Sequence, residues 1–244
     1  MAEFKTAVVT GASRGIGAGI ARRLAQDGFA VVVNYAGNAT AAADLVGQIE
    51  ADGGRAKAVQ ADIRSADDMK ALFETTQSAF GGVDVLVNNA GIMELGDIAT
   101  YSDEAFERVI DINLKGTFHG IREAANRLRD SGRIINVSTS VIGLYHPGYG
   151  VYAASKSAVE ALTHIVAKEL GPRGITVNAV APGPVATELF FNGKDEATLA
   201  RIRAMNPMGR LGEVPDIANV VSFLAGPDSA WVTGQIVRAN GGVV

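Results

Sequence analysis

"TAVVTGASRGIG", residues 6–17, decides how the rest of the chain is read. A β-branched apolar run over 6–11 ends on Gly11, and Gly15 and Gly17 follow as a helical pattern begins near residue 15. Strand, glycine turn and helix in that order form a unit with a physical purpose. Glycines lack the β-carbon that would keep the backbone away from a diphosphate, and a helix N-terminus offers unpaired N–H groups and positive potential. A glycine turn becomes informative in this strand-to-helix context.

The same alternation repeats outward from it. "AVVVN" (30–34), "AKAVQAD" (56–62), "VDVLVNN" (83–89), "RIINVS" (133–138), "ITVNAVAPG" (175–183) and "GQIVRANGG" (234–242) read as strands. Helical patterns lie at about 15–27, 39–53, 66–80, 103–130, 150–171 and 214–226. Most strands are continuously apolar, as strands covered on both faces are. Repeated β–α units imply a parallel sheet with right-handed crossovers. The expected fold is therefore α/β, a doubly wound parallel sheet of about seven strands with helices on both faces, in one domain over 1–244. Ligands of such sheets bind beyond the carboxyl ends of the strands, where strand order reverses.

Composition narrows the function. With 48 % apolar and 20 % charged residues the chain is of the globular class. A net charge of −4 without a basic block argues against a nucleic-acid partner. The absence of cysteine excludes disulfides, thiolate metal sites and a cysteine nucleophile. His119, His146 and His164 lack ligand spacing, so no metal site is expected. The start "MAEFKTAVVTG" has no signal pattern, and no apolar run approaches the roughly 18 residues of a membrane span. A soluble, cytoplasmic protein is the expectation.

"YAASK" (152–156) sets a phenol and an ammonium one helical turn apart, so Tyr152 and Lys156 share a face. Tyr152, Ser155, Val159, Leu162 and Val166 mark the stripe that this helix turns inward. "NNAG" (88–91), Asn113 in "DINLKG", the hydroxyls of "NVSTS" (136–140) and "PGPVAT" (182–187) each follow or flank a strand.

Together with the glycine turn, these motifs resemble the short-chain dehydrogenase/reductase family, in the family's order and over essentially the whole chain. The resemblance implies a Rossmann-type sheet, a nicotinamide cofactor and Tyr152 as the general acid/base. It implies that Lys156 lowers the phenol pKa and holds the nicotinamide ribose, and that Asn113 anchors a water relaying protons to Lys156. A tyrosine near pKa 10 needs a shift of about 3 units, roughly 4 kcal/mol, to act at neutral pH. One positive charge about 4 Å away at an effective dielectric of about 20 supplies that much. The hydroxyl that holds the substrate oxygen is Thr139 by counting 13 residues back from Tyr152, or Ser140 by the serine-x-x-glycine pattern of "SVIG". Both stay open, and Ser138 lines the cofactor or bonds backbone.

By the same resemblance Gly11, Ser13, Arg14, Gly15, Ile16 and Gly17 surround the diphosphate. Asp62 and Ile63 border adenine, and Asn89, Ala90 and Gly91 line the cofactor. Pro182 and Gly183 turn beneath the nicotinamide, while Val185 and Thr187 meet its carboxamide. The position that would carry a ribose-binding acid, at the end of the second strand, is Asn34–Tyr35. No carboxylate there repels a 2′-phosphate, and Arg14 is placed to pair with one, which selects NADP(H).

Within the family the chain looks most like 3-oxoacyl-carrier-protein reductase-like enzymes and microbial ketoreductases, which implies NADPH-dependent reduction of a ketone. The same chemistry reversed oxidises a secondary alcohol or sugar. A cofactor-binding regulator without turnover would more naturally lack Tyr152 or Lys156, and both are present. Residues 188–206 are expected to form a substrate lid hinged at Gly193, with Phe190 and Phe191 joining Met93, Leu144, His146 and Tyr149 in an apolar pocket. Arg127, Arg129 and Arg173 read either as solvated helix ends or as a basic patch beside the site for a carrier protein. A homotetramer is implied, with the 150–171 helix and the last strand at subunit contacts.

Overall fold

The computed structural model describes residues 4–191 and 195–244; Gly193, the expected hinge, lies outside the described residues. The chain runs β1 (Thr6–Val9), α1 (Gly15–Gln26), β2 (Ala30–Tyr35), α2 (Ala39–Ala51), β3 (Arg55–Gln60), α3 (Ala66–Phe80), β4 (Val83–Asn88), α4 (Asp103–Ile110), α5 (Gly116–Arg127) and β5 (Leu128–Val137). It continues through α6 (Gly150–Leu170), β6 (Thr176–Pro182), α7 (Glu188–Phe191), α8 (Glu196–Met205), α9 (Val214–Ala225) and β7 (Ile236–Ala239). All strand pairs are parallel, in the order β3-β2-β1-β4-β5-β6-β7. Strand order reverses between β1 and β4, which opens the crevice expected of a doubly wound sheet.

Strand alternation divides the core into two layers. Ala7, Val9, Val31, Val33, Val85, Val87, Ile135 and Val137 pack with α1, α2 and α9 on one face. Val8, Val32, Leu86, Ile134 and Val177 pack with α3, α5 and α6 on the other. Each fully buried Val, Leu or Ile contributes roughly 1.5–3 kcal/mol. Continuous apolar strands are thus explained by cover on both sides. The edge strands β3 and β7 are the exceptions, made only of exposed and half-buried residues.

Helix starts follow local chemistry. Asn38, Ser65, Ser102 and Asp195 cap α2, α3, α4 and α8 through side-chain oxygens. α1 has no side-chain cap and no acid in its first turn. Its N–H groups are left for something else.

Three expectations change. The helix expected over 103–130 is broken by a π turn at Asp111–Lys115. β5 begins at Leu128 instead of 133, because Val83 pairs with Leu128 while Val85 pairs with Arg133, an offset absorbed by a bulge with Ser131 at φ 62°. On α6, Lys156 and Thr163 are buried along with Ser155 while Leu162 is half-buried, so the inward stripe includes three polar groups. Among the described residues no helix is long and apolar enough to cross a membrane, and no acid or histidine cluster could hold a metal ion.

Candidate active site

The crevice is built from the ends of β1 and β4. Gly11 has φ 60°, and a β-carbon there would lie 2.9 Å from Ala90 Cα. The "NNAG" loop therefore packs directly on the glycine turn. Thr10 Oγ1 accepts the N–H groups of Asn89 and Ala90 at 3.0 and 3.1 Å. Asn89 Nδ2 donates to the carbonyls of Thr10 and Gly11 at 2.9 and 3.1 Å. Gly17 leaves room for that amide, since a β-carbon would come within 2.6 Å of the Gly11 oxygen. By contrast a β-carbon at Gly15, φ 57°, would meet only Thr187 Cγ2 at 3.9 Å, an open cradle over the uncapped start of α1. Ser13 and Arg14 complete the rim, and Arg14 lies 3.7 Å from Glu188 in an exposed ion pair.

Two expected contacts take another role. Asn34 is buried, accepts the Gly11 N–H at 3.2 Å and donates to the carbonyls of Val59 and Ala61 at 3.3 and 3.0 Å. Its amide ties β2, β3 and the glycine turn together as an internal brace. Tyr35, half-buried, ends β2. Asn89 is likewise spent on backbone, and it is the backbone of Asn89–Gly91 that lines the opening. Neither change was visible locally, because the partners are 23 to 79 residues away.

Asp62 and Ile63 follow β3. Arg64 forks onto Asp62, at 2.6 Å for the closest pair, and holds its carboxyl below the ordinary range. Ile63 is buried against Gly116, and its carbonyl lies 3.0 Å from His119 Nδ1. Neither sequence pattern nor motif pointed to His119 as the brace of this loop.

The π turn swings Asn113 inward, a device found often at functional sites. Asn113 is fully buried; its Oδ1 accepts the Ile92 N–H at 2.8 Å, and Nδ2 donates to the Ile92 carbonyl at 2.9 Å and to Ser155 Oγ at 3.1 Å. A β-carbon on Gly91 would sit 3.2 Å from Asn113 Oδ1 and 3.3 Å from Lys156 Nζ. A side chain there would crowd both the amide and the ammonium.

Lys156 is buried, and its Nζ donates to the Val137 carbonyl at 2.8 Å. Burial alone lowers its pKa to about 8. Tyr152, half-buried on the next turn of α6, moves the other way. Burial pushes its phenol above 10.0, a hydrogen bond with Thr139 pulls it down, and Tyr149 pushes it up. The Lys156 ammonium is turned to the Val137 carbonyl. On balance the phenol is held above its ordinary value, chiefly by burial.

The two candidate hydroxyls separate cleanly. Thr139 bonds the Tyr152 phenol and accepts the Val141 N–H at 3.2 Å. Ser140 Oγ donates to the Ala181 carbonyl at 2.9 Å and accepts from Asn240 Nδ2 at 3.0 Å. Ser140 faces the sheet and Thr139 faces the phenol. Ser138 donates to Glu160 at 2.7 Å, away from both.

Opposite them, Pro182 ends β6 and Gly183 packs on Asn240. Val185 forms a lone parallel bridge with Gly212, whose N–H and carbonyl bond the Pro184 carbonyl and the Ala186 N–H, each at 2.8 Å. Val185's own backbone groups consequently point the other way, with Thr187 Oγ1 donating to its carbonyl at 3.4 Å. Leu144, Tyr149 and Met93 are half-buried around the opening, and His146 is exposed with its ring 6.0 Å from that of Tyr149. Phe190 and Phe191 pack edge to face at 5.8 Å, Phe190 half-buried and Phe191 41 % exposed.

The arginines are not a patch beside this site. Arg127 pairs with Glu123 and Glu74, Arg129 with Asp84, and Arg173 with Asp130. They staple the N-terminal end of β5, opposite the strand end that leads to Thr139.

A fold of this topology, with an open glycine turn before an uncapped helix and with Asn113, Thr139, Tyr152 and Lys156 beyond the strand ends, fits a nicotinamide dinucleotide. Comparison with known proteins agrees. Residues 11–244 match a family described as "Enoyl-(Acyl carrier protein) reductase". A short-chain type dehydrogenase/reductase of Picea abies is 45 % identical, covering 98 % of this chain and 92 % of the relative. A 3-oxoacyl-[acyl-carrier-protein] reductase of Staphylococcus aureus is 43 % identical, covering 98 % of both. The crystal structure of a blue fluorescent protein from a metagenomic library, in complex with NADPH, superposes with a TM-score of 0.93 at 40 % identity, covering 98 % of each chain. Fold, ordered motifs and matches along nearly the full length converge, and the chain belongs to the short-chain dehydrogenase/reductase family of NAD(P)-dependent oxidoreductases.

Proposed function

We propose that the protein reduces a ketone to an alcohol with NADPH, Tyr152 delivering the proton. The observation that carries this reading is that Thr139 acts on the Tyr152 phenol and lowers its pKa, while the buried Lys156 ammonium one turn along α6 is held by the Val137 carbonyl. NADP(H), when bound, supplies or accepts the hydride at the carbonyl carbon.

The chain does the rest. The cradle at Gly15 and the free N–H groups of α1 receive the diphosphate, and Val185's outward backbone groups meet the carboxamide. Thr139 and Tyr152 hold the substrate oxygen, and the Tyr152 proton passes to it as its negative charge develops. At neutral pH Lys156, with a pKa of about 8, stays mostly protonated. Two of its three N–H groups remain for the ribose and for the phenolate, which it stabilises once the proton has left. Asn113 holds Ile92 and Ser155, keeping the space beside Gly91 open for a water that returns the proton.

Support for NADPH over NADH is the missing carboxylate at the end of β2 together with the exposed Arg14. The NADPH complex of the metagenomic relative and the 3-oxoacyl reductase from Staphylococcus aureus point to the same cofactor and substrate class. The half-buried, largely apolar surround of Met93, Leu144, Tyr149 and Phe190 favours medium-sized ketones over sugars, with 188–206 as its cover. The apolar patch of Leu114 in the π turn, Phe118 on α5, and Ala161, Leu162 and Ile165 on α6 supports helix-to-helix subunit contact in a homotetramer.

A panel of ketones and acyl thioesters followed by NADPH absorbance tests the reading. At least one ketone should be reduced, with NADPH preferred over NADH. Absence of both turnover and NADPH binding would overturn it.

A further inference from the structure

The chain ends "ANGGVV" (239–244), just past β7. Asn240 in that stretch is buried, and every polar atom of its side chain and its carbonyl is engaged. Its Nδ2 donates to Ser140 Oγ at 3.0 Å and to the Val244 carbonyl at 3.3 Å. Its Oδ1 accepts the Gly242 N–H at 2.9 Å. Its own carbonyl accepts from Asn206 Nδ2 at 2.9 Å.

Asn206 closes α8 and is buried too, its Oδ1 taking the Met208 N–H at 2.9 Å. The join is built tightly. A β-carbon on Gly241, φ 66°, would lie 2.5 Å from Asn206 Oδ1, and one on Gly183 would lie 2.8 Å from Asn240 Cα. The Val244 side chain meets the loop after β5, 3.2 Å from where a β-carbon on Gly143 would be. One residue thus connects the loop carrying Thr139, the end of α8 and the turn at Gly183.

We propose that Asn240 is a positioning residue: it fastens the Thr139–Gly143 loop to the end of α8, so that two walls of the substrate pocket keep one spacing. That these walls enclose substrate rests on the function proposed above; the mechanical connection does not. Ser140 is the link, because its hydroxyl passes the Asn240 bond on to the Ala181 carbonyl. Losing one partner of a buried amide pair leaves the other unsatisfied, so the loop should loosen when either end is cut.

Amide hydrogen exchange of the full chain tests the connection. Asn206→Asp keeps the acceptor for Met208 and removes the donor to Asn240. It should speed exchange in 139–144 by roughly 5-fold, although Asn206 bonds none of those residues. Asn240→Ala should speed exchange in both 139–144 and 196–206, leaving the glycine turn at 10–17 unchanged. In turnover, Asn240→Ala should lower kcat and reorder the ketones while NADPH affinity holds. That loss should shrink in a Ser140→Ala background. Faster exchange confined to 236–244, or raised alike over the whole chain, would overturn the proposal. So would independent, multiplying effects of the two substitutions. If wild type reduces no ketone, the proposed function fails by that result, and the exchange data still decide the connection.

Discussion

Burying the Lys156 ammonium should cost the native protein stability, and the cost should depend on pH with a defined sign. Its pKa falls from 10.5 to about 8 through burial. The native state therefore binds this proton less tightly than the unfolded chain does. Stability from this group is fully present only above 10.5 and is lost as pH falls toward 8. At pH 7 the loss is about 3 kcal/mol, taking about 1.4 kcal/mol per pKa unit. Lys156→Met keeps most of the volume and removes the charge. It also leaves the Val137 carbonyl without its partner, which costs about 1–3 kcal/mol at every pH.

The absolute stability of the variant at one pH is thus a balance, whereas the swing with pH isolates the ammonium. Relative to wild type, Lys156→Met should lose about 3 kcal/mol of advantage between pH 7 and pH 10.5, or roughly 6 °C in Tm for a chain of this size. Urea unfolding of both proteins at a series of pH values measures this directly, since all other titrating groups are shared. A difference that stays flat from pH 7 to 10.5, or that grows in the variant's favour as pH rises, would refute the reasoning.

Three further outcomes are expected. Tyr152→Phe should lower turnover by the roughly 10²–10⁴-fold typical of a lost general acid, with NADPH binding retained in a fluorescence titration; wild-type turnover would remove the phenol from the mechanism. Thr139→Val should depress kcat far more than it lowers Tm, while Ser140→Ala, cutting bonds to Ala181 and Asn240, should lower Tm more than Thr139→Val does; the reverse pattern in paired kinetics and melting curves would exchange their roles. Asn34→Asp should act on stability before cofactor choice, because a carboxylate donates to neither Val59 nor Ala61 and is buried; a loss of about 2 kcal/mol or more in urea is expected, and an unchanged midpoint with a switch to NADH would contradict the brace.

The sheet, its crossovers and the crevice were legible in the sequence because they rest on short-range pattern. Continuous apolar runs need cover on both faces, and a glycine turn between strand and helix needs only its own residues to declare itself. The pairing of Tyr152 with Lys156 on one helical face follows from spacing, and so does the uncapped start of α1. Tertiary structure decided what each polar side chain does with its hydrogen bonds. Ser140 is claimed by partners 41 and 100 residues away, which leaves Thr139 for the phenol. Asn34 is claimed by β3 and the residue that follows it, and Arg127, Arg129 and Arg173 by acids around the N-terminal end of β5. The π turn that brings Asn113 inward fits an amide held by Ile92 and Ser155, 21 positions back and 42 ahead. A buried polar group must be satisfied by whatever the fold brings within about 3 Å. Which partners those are is a property of the folded chain, set by contacts that no local pattern records.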